Sequence, residues 1–582
     1  MRLKKPIVSV GGALALVVLA ACGGGGGDDD GANTPEDTFI EGGGAGEAID
    51  PNREAPAPEI EGAKAGGTAT VLSASGLTTM DPTEAYYTNT GSILSGLVTR
   101  SLTQYVYDEE QKGMVLIPDI ATDTGTPNDD YTEWTFTIRD GVKFEDGTPV
   151  TAEDVAYGIK RSMDRDTFPG GAAYSNDYFL DGDKYKGPYK SGENYKGVVV
   201  KDNTLTIKMA RPFPDMPYWG AFPAIGPIPK DSDPADYALH PMSTGPYKFG
   251  DYEPGESLTL VKNDQWDPAT DPGRHQYIEK YVMKFTELSK QIDSTILADS
   301  GEGQTTLTFD NILSADYQKA KQDAPDRLIL GSAPCTYMWT PDYRTVPLKV
   351  RQAAAYAYPY QDVWTAQGEI IGVTRVPGTA ILPPGIPGRE EYNPLEVEPG
   401  QSDPEKSKAL LKEAGFAPGE YELKFLFATD DPASVAAKDQ LITGLEAGGF
   451  KATPVASTVN EIPTLRADPN YRKINVRSWG WCSDWPSGGS WFQPLFGKGG
   501  SNNYSLLSEP AVDKEIKRIG TLPLEEQPAA WAALDKEIMT KYFPGPNTGY
   551  VGTAMLHGSK IAGMKNDDVF GMPTWKDMYI TE

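Results

Sequence analysis

Apolar and polar positions along the chain fall into blocks of two different periods. Residues 67–72 form a short run that reads as a strand. Trp134, Phe136 and Ile138 alternate with Thr135 and Thr137, a period of two that predicts another strand. Asp140-Gly141 and Asp146-Gly147 bracket Val142-Lys143-Phe144, so a strand–turn–strand unit is expected there. The period then lengthens. Val155, Ile159 and Met163 share one helical face, and Thr151 with Asp154 three residues on is close to a capping box. A second helix starts at Asp403-Pro404, has Ala409, Leu410, Leu411 and Ala414 as its apolar side, and stops at Gly415. Residues 421–427 read as a strand, 433–446 as a helix closed by Gly448-Gly449, and 450–455 as a strand. That strand–helix–strand order predicts a sheet with helices packed on it. No repeat of solenoid length interrupts it.

One apolar block differs from the rest. It runs from Ile7 to Ala21 behind Arg2, Lys4 and Lys5, and ends in Leu19-Ala20-Ala21-Cys22. A basic start, a short apolar run and small residues make a secretory leader. The run is too short for the roughly 20 residues of a spanning helix. A Cys directly after the small residues is the bacterial lipoprotein pattern, in which Cys22 is acylated and becomes the new N-terminus. We therefore expect a leader over 1–21, removed on export, and a protein held outside the cytoplasmic membrane by lipid on Cys22. Alternatives are an ordinary leader with a chance Cys, or an uncleaved anchor. Residues 22–66 are rich in Gly, Pro, Ala, Asp and Glu, with few large apolar side chains. Such composition predicts a flexible acidic tether, because little surface is available to offset the ordering entropy. The run Gly23 to Gly27 is no phosphate loop, since no strand precedes it and no Gly-Lys-Ser/Thr follows.

The remaining body, 67–582, is too long for one core and predicts two or three lobes. Its charge narrows the partners. Losing Arg2, Lys4 and Lys5 with the leader takes the formal charge from −29 to −32. So acidic a chain repels nucleic acid and anionic headgroups, and neither is expected as a partner. The 30 Tyr and 11 Trp suit a cleft for organic ligands, though core packing uses many of them. Of three cysteines, Cys335 and Cys482 remain after Cys22. Export favours a bridge between them, and two free buried thiols are the alternative.

Several motifs carry a family resemblance. These are Met80-Asp81-Pro82; Leu116-Ile117-Pro118-Asp119-Ile120-Ala121 followed by Trp134-Thr135-Phe136; and the long block from Ile138 to Val155, with Arg139-Asp140-Gly141-Val142-Lys143-Phe144 at its start. Ser243-Thr244-Gly245-Pro246-Tyr247, Val350-Arg351-Gln352-Ala353 and Gly480-Trp481-Cys482-Ser483-Asp484-Trp485 follow. Over most of the body the chain resembles the extracytoplasmic solute-binding proteins of peptide-type ABC importers. The resemblance implies an α/β fold of the periplasmic-binding-protein type, with two main lobes, a hinge and an inserted third lobe. Lobe I would take 67–97, 222–333 and 542–582, lobe II 98–221, and lobe III 334–541. It also implies a monomer that takes a peptide between its lobes and delivers it to permease subunits.

Residue roles follow from the same resemblance. The motif Cys is bridged in that family to a Cys preceding Thr-Tyr, which Cys335-Thr336-Tyr337 matches. The Asp two residues after the motif Cys pairs with the ligand's ammonium, and Asp484 holds that place; otherwise it would read as a solvated turn residue. Trp479, Trp481 and Trp485, with Trp491, would divide between cleft wall and core, Trp481 and Trp485 being nearest the ligand. Tyr86, Tyr87 and Thr88 would face the cleft, and Tyr174 would contribute from lobe II. Two positions depart from the pattern. Thr340 stands where oligopeptide binders carry Glu, and Ser478 where they carry Arg, with Arg477 shifted by one. The ligand's length or class is thereby open, and a metal chelate, opine or oligosaccharide on the same fold is the alternative.

Enzymatic readings have little to stand on. His240, His275 and His557 form no His-Glu-x-x-His or Cys/His cluster, so no metal site or cofactor is expected. No Gly-x-Ser-x-Gly elbow occurs. A secreted hydrolase and a surface scaffold remain as distant alternatives.

Overall fold

In the computed structural model, which describes residues 45–230 and 232–582, the helix Ala152–Ser162 begins where its cap predicts. Thr151 Oγ1 accepts from the Asp154 amide at 3.3 Å, and Asp154 Oδ2 accepts from the Thr151 amide at 2.9 Å. Asp403 caps Pro404–Glu413 through the Lys406 amide at 2.9 Å, and Gly415 ends the turn at φ +90°. Glu422–Ala428 and Lys451–Ser457 pair in parallel around the helix Pro432–Ala447, the expected crossover unit. Glu133–Thr137 is a strand. Val142-Lys143-Phe144 is not; it makes one isolated bridge, Lys143 to Pro149, because the two Asp-Gly turns leave too short a span for a ladder.

The leader over 1–21 and Cys22 lie outside the described residues. Among the described residues no helix is long and apolar enough to cross a membrane. The tether expected over 22–66 needs correction in its second half. Ala45–Ile49 pairs in parallel with Gly113–Pro118, and the Ala57 amide donates to Asp271 O at 3.0 Å. Backbone pairing needs no large apolar side chain, so a rule based on composition misses it. Gly46, at φ +86°, lies against the Tyr105 ring, where a Cβ would come within 2.6 Å.

The described chain divides into two units. A terminal unit holds both described ends: the residues up to Ile329, with Gly520–Leu524 and Ala554–Glu582. A central unit, by sequence, takes Leu330–Ile519 and Glu525–Thr553. The stretches assigned to lobes I and II fall in the terminal unit except 330–333 and 542–553, and lobe III in the central unit except Gly520–Leu524.

The terminal unit is built on a five-stranded sheet in the order Thr306–Thr308, Thr68–Leu72, Lys280–Lys284, Ser257–Lys262, Tyr247–Glu253. Its core includes Val71, Ile93, Leu97, Leu258 and Met283. A second, antiparallel sheet sets Glu133–Thr137 beside Thr204–Lys208. A charged quartet is buried here as well. Arg274 donates to both oxygens of Asp119, at 3.0 and 2.9 Å, Arg100 Nε to Asp119 at 2.7 Å, and Arg274 Nη1 to Asp271 Oδ2 at 3.1 Å. Burial opposes the charge on Asp271, but Arg100 and Arg274 outweigh it and hold the carboxyl far below the usual range.

Most of a four-stranded sheet in the order Arg375–Val376, Asn547–Leu556, Leu328–Pro341, Val476–Cys482 belongs to the central unit, the strand ends 328–329 and 554–556 falling in the terminal one. Trp339, Val350, Leu423, Phe425 and Val476 are among the central unit's core residues.

Candidate functional site

Val476–Cys482 is the terminal strand of its sheet, paired along one side with Leu328–Pro341. The register is antiparallel and sets Cys335 opposite Cys482, Tyr337 opposite Gly480 and Trp339 opposite Ser478. Cys335 and Cys482 are bridged, joining positions 147 residues apart. An edge strand leaves one row of N–H and C=O groups outside the ladder, which an extended peptide can pair with; in that row Ser478 O already accepts from Arg466 Nη1 at 3.1 Å. Gly480 fits the Tyr337 ring laid across it; a Cβ there would come within 2.7 Å of that ring. The Arg375 guanidinium covers Tyr337 at 4.2 Å from the ring centre and is paired to Glu369.

Strand alternation decides the departures noted in the sequence. Ser478 is exposed, whereas Arg477 and Trp479 are 2% exposed. A shift of one residue along a strand moves a side chain to the other face. Arg477 therefore points inward: Nε donates to Arg466 O at 3.0 Å, and Nη1 lies 3.6 Å from Asp342. Thr340 is fully buried, donating to Arg477 O at 3.1 Å and accepting from Trp479 Nε1 at 3.0 Å.

Beyond Cys482 the chain makes a turn locked by serines. The Ser483 amide donates to Pro334 O at 2.8 Å, and Ser483 Oγ accepts from Trp491 Nε1 at 3.1 Å. Ser490 Oγ bonds Trp485 O and Ser487 O at 3.0 and 2.9 Å. Trp481 Nε1 donates to Ser490 O at 3.1 Å. Trp481, Trp485 and Trp491 are 6%, 1% and 0% exposed, so these rings form the body of the unit behind the strand. Asp484 is half-buried between the inward-facing Ser483 and Trp485. The residues on either side of it are held by these bonds.

Tyr86, Tyr87, Thr88 and Tyr174 belong to the terminal unit, and each is half-buried. Tyr87 leads into the helix Thr88–Ile93, while Tyr174 starts Tyr178's helix and meets Trp219 edge-on at 5.3 Å. Arg161 fixes the segment preceding them. It is fully buried, binds both oxygens of Asp81 at 2.7 Å and touches Thr83 Oγ1, with Phe168 against its guanidinium at 4.0 Å. The Gly170 amide adds a bond to Glu84 Oε1 at 3.0 Å. Sequence reading missed Arg161 and the serine lock. Asp81-Pro82 by itself reads as a turn, and its partner stands 80 residues away. The spacing Ser483, Ser487, Ser490 was the available signal for the lock.

The family model for bacterial extracellular solute-binding proteins, family 5, matches residues 115–503. The periplasmic oligopeptide-binding protein OppA of Salmonella typhimurium is 24% identical over 408 residues, 67% of this chain and 71% of that protein. The periplasmic murein peptide-binding protein MppA of Escherichia coli is 25% identical over 445 residues, 73% of this chain and 77% of that protein. Among solved structures, the clavulanic acid biosynthesis oligopeptide binding protein 2 superposes with a TM-score of 0.80 at 23% identity, covering 93% of this chain and 99% of that one. The family match spans well over half of the sequence and takes in the motif strand and its turn, and on that ground the chain belongs to the bacterial extracellular solute-binding proteins of family 5.

Proposed function

We propose that this chain is the lipid-anchored receptor of an ABC importer, capturing peptides outside the cytoplasmic membrane and handing them to permease subunits without altering them. The observation that carries this is the edge strand Val476–Cys482, running into a serine-locked turn that bears Asp484. Backbone pairing along such an edge gives affinity with weak sequence preference. An ammonium costs several kcal/mol to bury unpaired, and a fixed carboxylate offsets that cost. Asp484 is the group proposed to hold the peptide's N-terminus. Tyr86, Tyr87, Thr88 and Tyr174 are proposed as further ligand contacts, with Trp481 and Trp485 supporting the strand and turn from behind. The relatives named as peptide-binding proteins support the ligand class. The leader pattern ending at Cys22 supports the anchor, and the acidic charge supports a monomer that avoids nucleic acid.

Calorimetric titration tests the ammonium role. Asp484→Ala should weaken a free-amine peptide by roughly tenfold or more, since hydrogen bonds to charged groups contribute about 1.5–3 kcal/mol. It should leave the N-acetylated peptide almost unchanged. Equal losses for both would remove Asp484 from the role.

A second reading keeps the fold and changes the solute. Thr340 is turned into the unit, and the position where oligopeptide binders carry Arg holds the exposed Ser478 while Arg477 points inward, so the polar groups offered at these two positions differ from theirs. A non-peptide solute such as a metal chelate, opine or oligosaccharide suits that altered surface.

A further inference from the structure

His275 stands where the N-terminal segment crosses the terminal unit. Its Nε2 lies 2.9 Å from Pro58 O, and its Nδ1 lies 3.2 Å from both Lys576 O and Asp577 Oδ1. All three partners are acceptors only. A neutral imidazole has a single N–H and leaves one nitrogen's lone pair facing an acceptor, whereas imidazolium donates from both nitrogens. The ring is also stacked on Tyr277, with centres 4.9 Å apart and planes 11° apart.

The same few residues fasten the rest of the segment. The Ala57 amide donates to Asp271 O at 3.0 Å, the Ile60 amide to Tyr277 Oη at 3.3 Å, and the Gly66 amide to Tyr277 O at 2.8 Å. Few large apolar side chains back these bonds, so the segment's attachment is polar and depends on each partner. We infer that His275 is a protonation-dependent clasp: the imidazolium fastens residues 57–66 to the body, and loss of its proton releases them.

The charged and titratable groups around the ring are few. Asp577 faces it from the C-terminal segment. Lys576 turns its Nζ away, to Gln104 Oε1 at 2.8 Å and to Tyr105 O. Arg274, on the ring's own segment, is committed to Asp119 and Asp271. Tyr277 stacks on the ring, and Tyr579 lies edge-on to Tyr277 at 6.2 Å. Pro58 O is the contact from the N-terminal segment. Burial works against the charge on His275, but Asp577 and the carbonyls of Pro58 and Lys576 outweigh it and raise its pKa above 6.5. The sign follows. Clasping is complete below 6.5, the ordinary value, and is lost as pH climbs through the raised value of the docked ring. Release would loosen residues 57–66 as an internal loop between the paired strands Ala45–Ile49 and Thr68–Leu72.

Hydrogen exchange on the full chain, corrected for the intrinsic pH dependence of exchange, tests this between about pH 5.5 and 8.5. Protection of the amides of Ala57, Ile60 and Gly66 should fall with rising pH, about tenfold for each unit by which docking raises the ring's pKa. The strand Tyr247–Glu253 should stay protected throughout and serves as the control. His275→Gln should leave 57–66 weakly protected at every pH, which separates this ring from His240 and His557. Asp577→Asn should move the transition to lower pH. Protection of 57–66 that does not change with pH in the native chain would overturn the clasp, as would a transition that survives in His275→Gln. Should either variant fail to fold, the native pH series decides alone.

Discussion

Arg161 shows how one residue sets the position of others. Its guanidinium is buried, binds both oxygens of Asp81 and has Phe168 against one face. Removing one partner of a buried pair leaves the other charge uncompensated, at a cost of about 3–5 kcal/mol. Arg161→Met should therefore lower unfolding stability by about that much in urea, and Asp81→Asn should cost a comparable amount, because it leaves the buried guanidinium uncompensated and turns a donor NH2 toward it. Equal and small effects from both would mean that the pair contributes nothing net. At this scale the sequence reveals types and not partners. Asp484 could be picked out because the residues around Cys482 form a motif. Arg161 could not, because nothing local distinguishes it from a surface helix arginine. Arg477 could be seen to have shifted, and period-two alternation explains why the shift turns it inward.

Elements were legible where a cap and a period agreed. Thr151, Asp403 and Gly415 mark ends that the fold keeps, and the crossover from Glu422–Ala428 to Lys451–Ser457 follows from its order of strand, helix and strand. Legibility failed where backbone pairing acts without apolar support. Ala45–Ile49 joins a sheet although its composition reads as spacer, and the stretch around Lys143 closes a single bridge although its turns read as a hairpin. The edge strand Val476–Cys482 is held by its ladder to Leu328–Pro341 and by the Cys335–Cys482 bridge, which closes a loop of 147 residues. In the chain-entropy model a loop of that size contributes about 4–5 kcal/mol. The double variant Cys335→Ser, Cys482→Ser should lose a few kcal/mol of unfolding free energy in denaturant. A loss below about 1 kcal/mol would show that the strand pairing persists in the unfolded reference state or needs no bridge.

For the whole molecule, the parts have distinct tasks. Two units carry separate cores, so each can hold its shape on its own. The central unit supplies an edge strand and a rigid turn. The terminal unit holds Tyr86, Tyr87 and Thr88 just after the Asp81–Thr83 segment that Arg161 fixes, together with the docked N-terminal segment. A formal charge of −29 opposes association with other polyanions. The proposed function is retention and release of a solute, in keeping with a family of solute-binding proteins. Native mass spectrometry of the intact protein, purified without denaturant from cells grown in peptide-rich medium, tests that most directly. We predict one bound mass per chain, corresponding to an intact peptide with a free amine and exchangeable for added peptides that are recovered unchanged. A bound species that is not a peptide, or added peptides recovered as fragments, would contradict it.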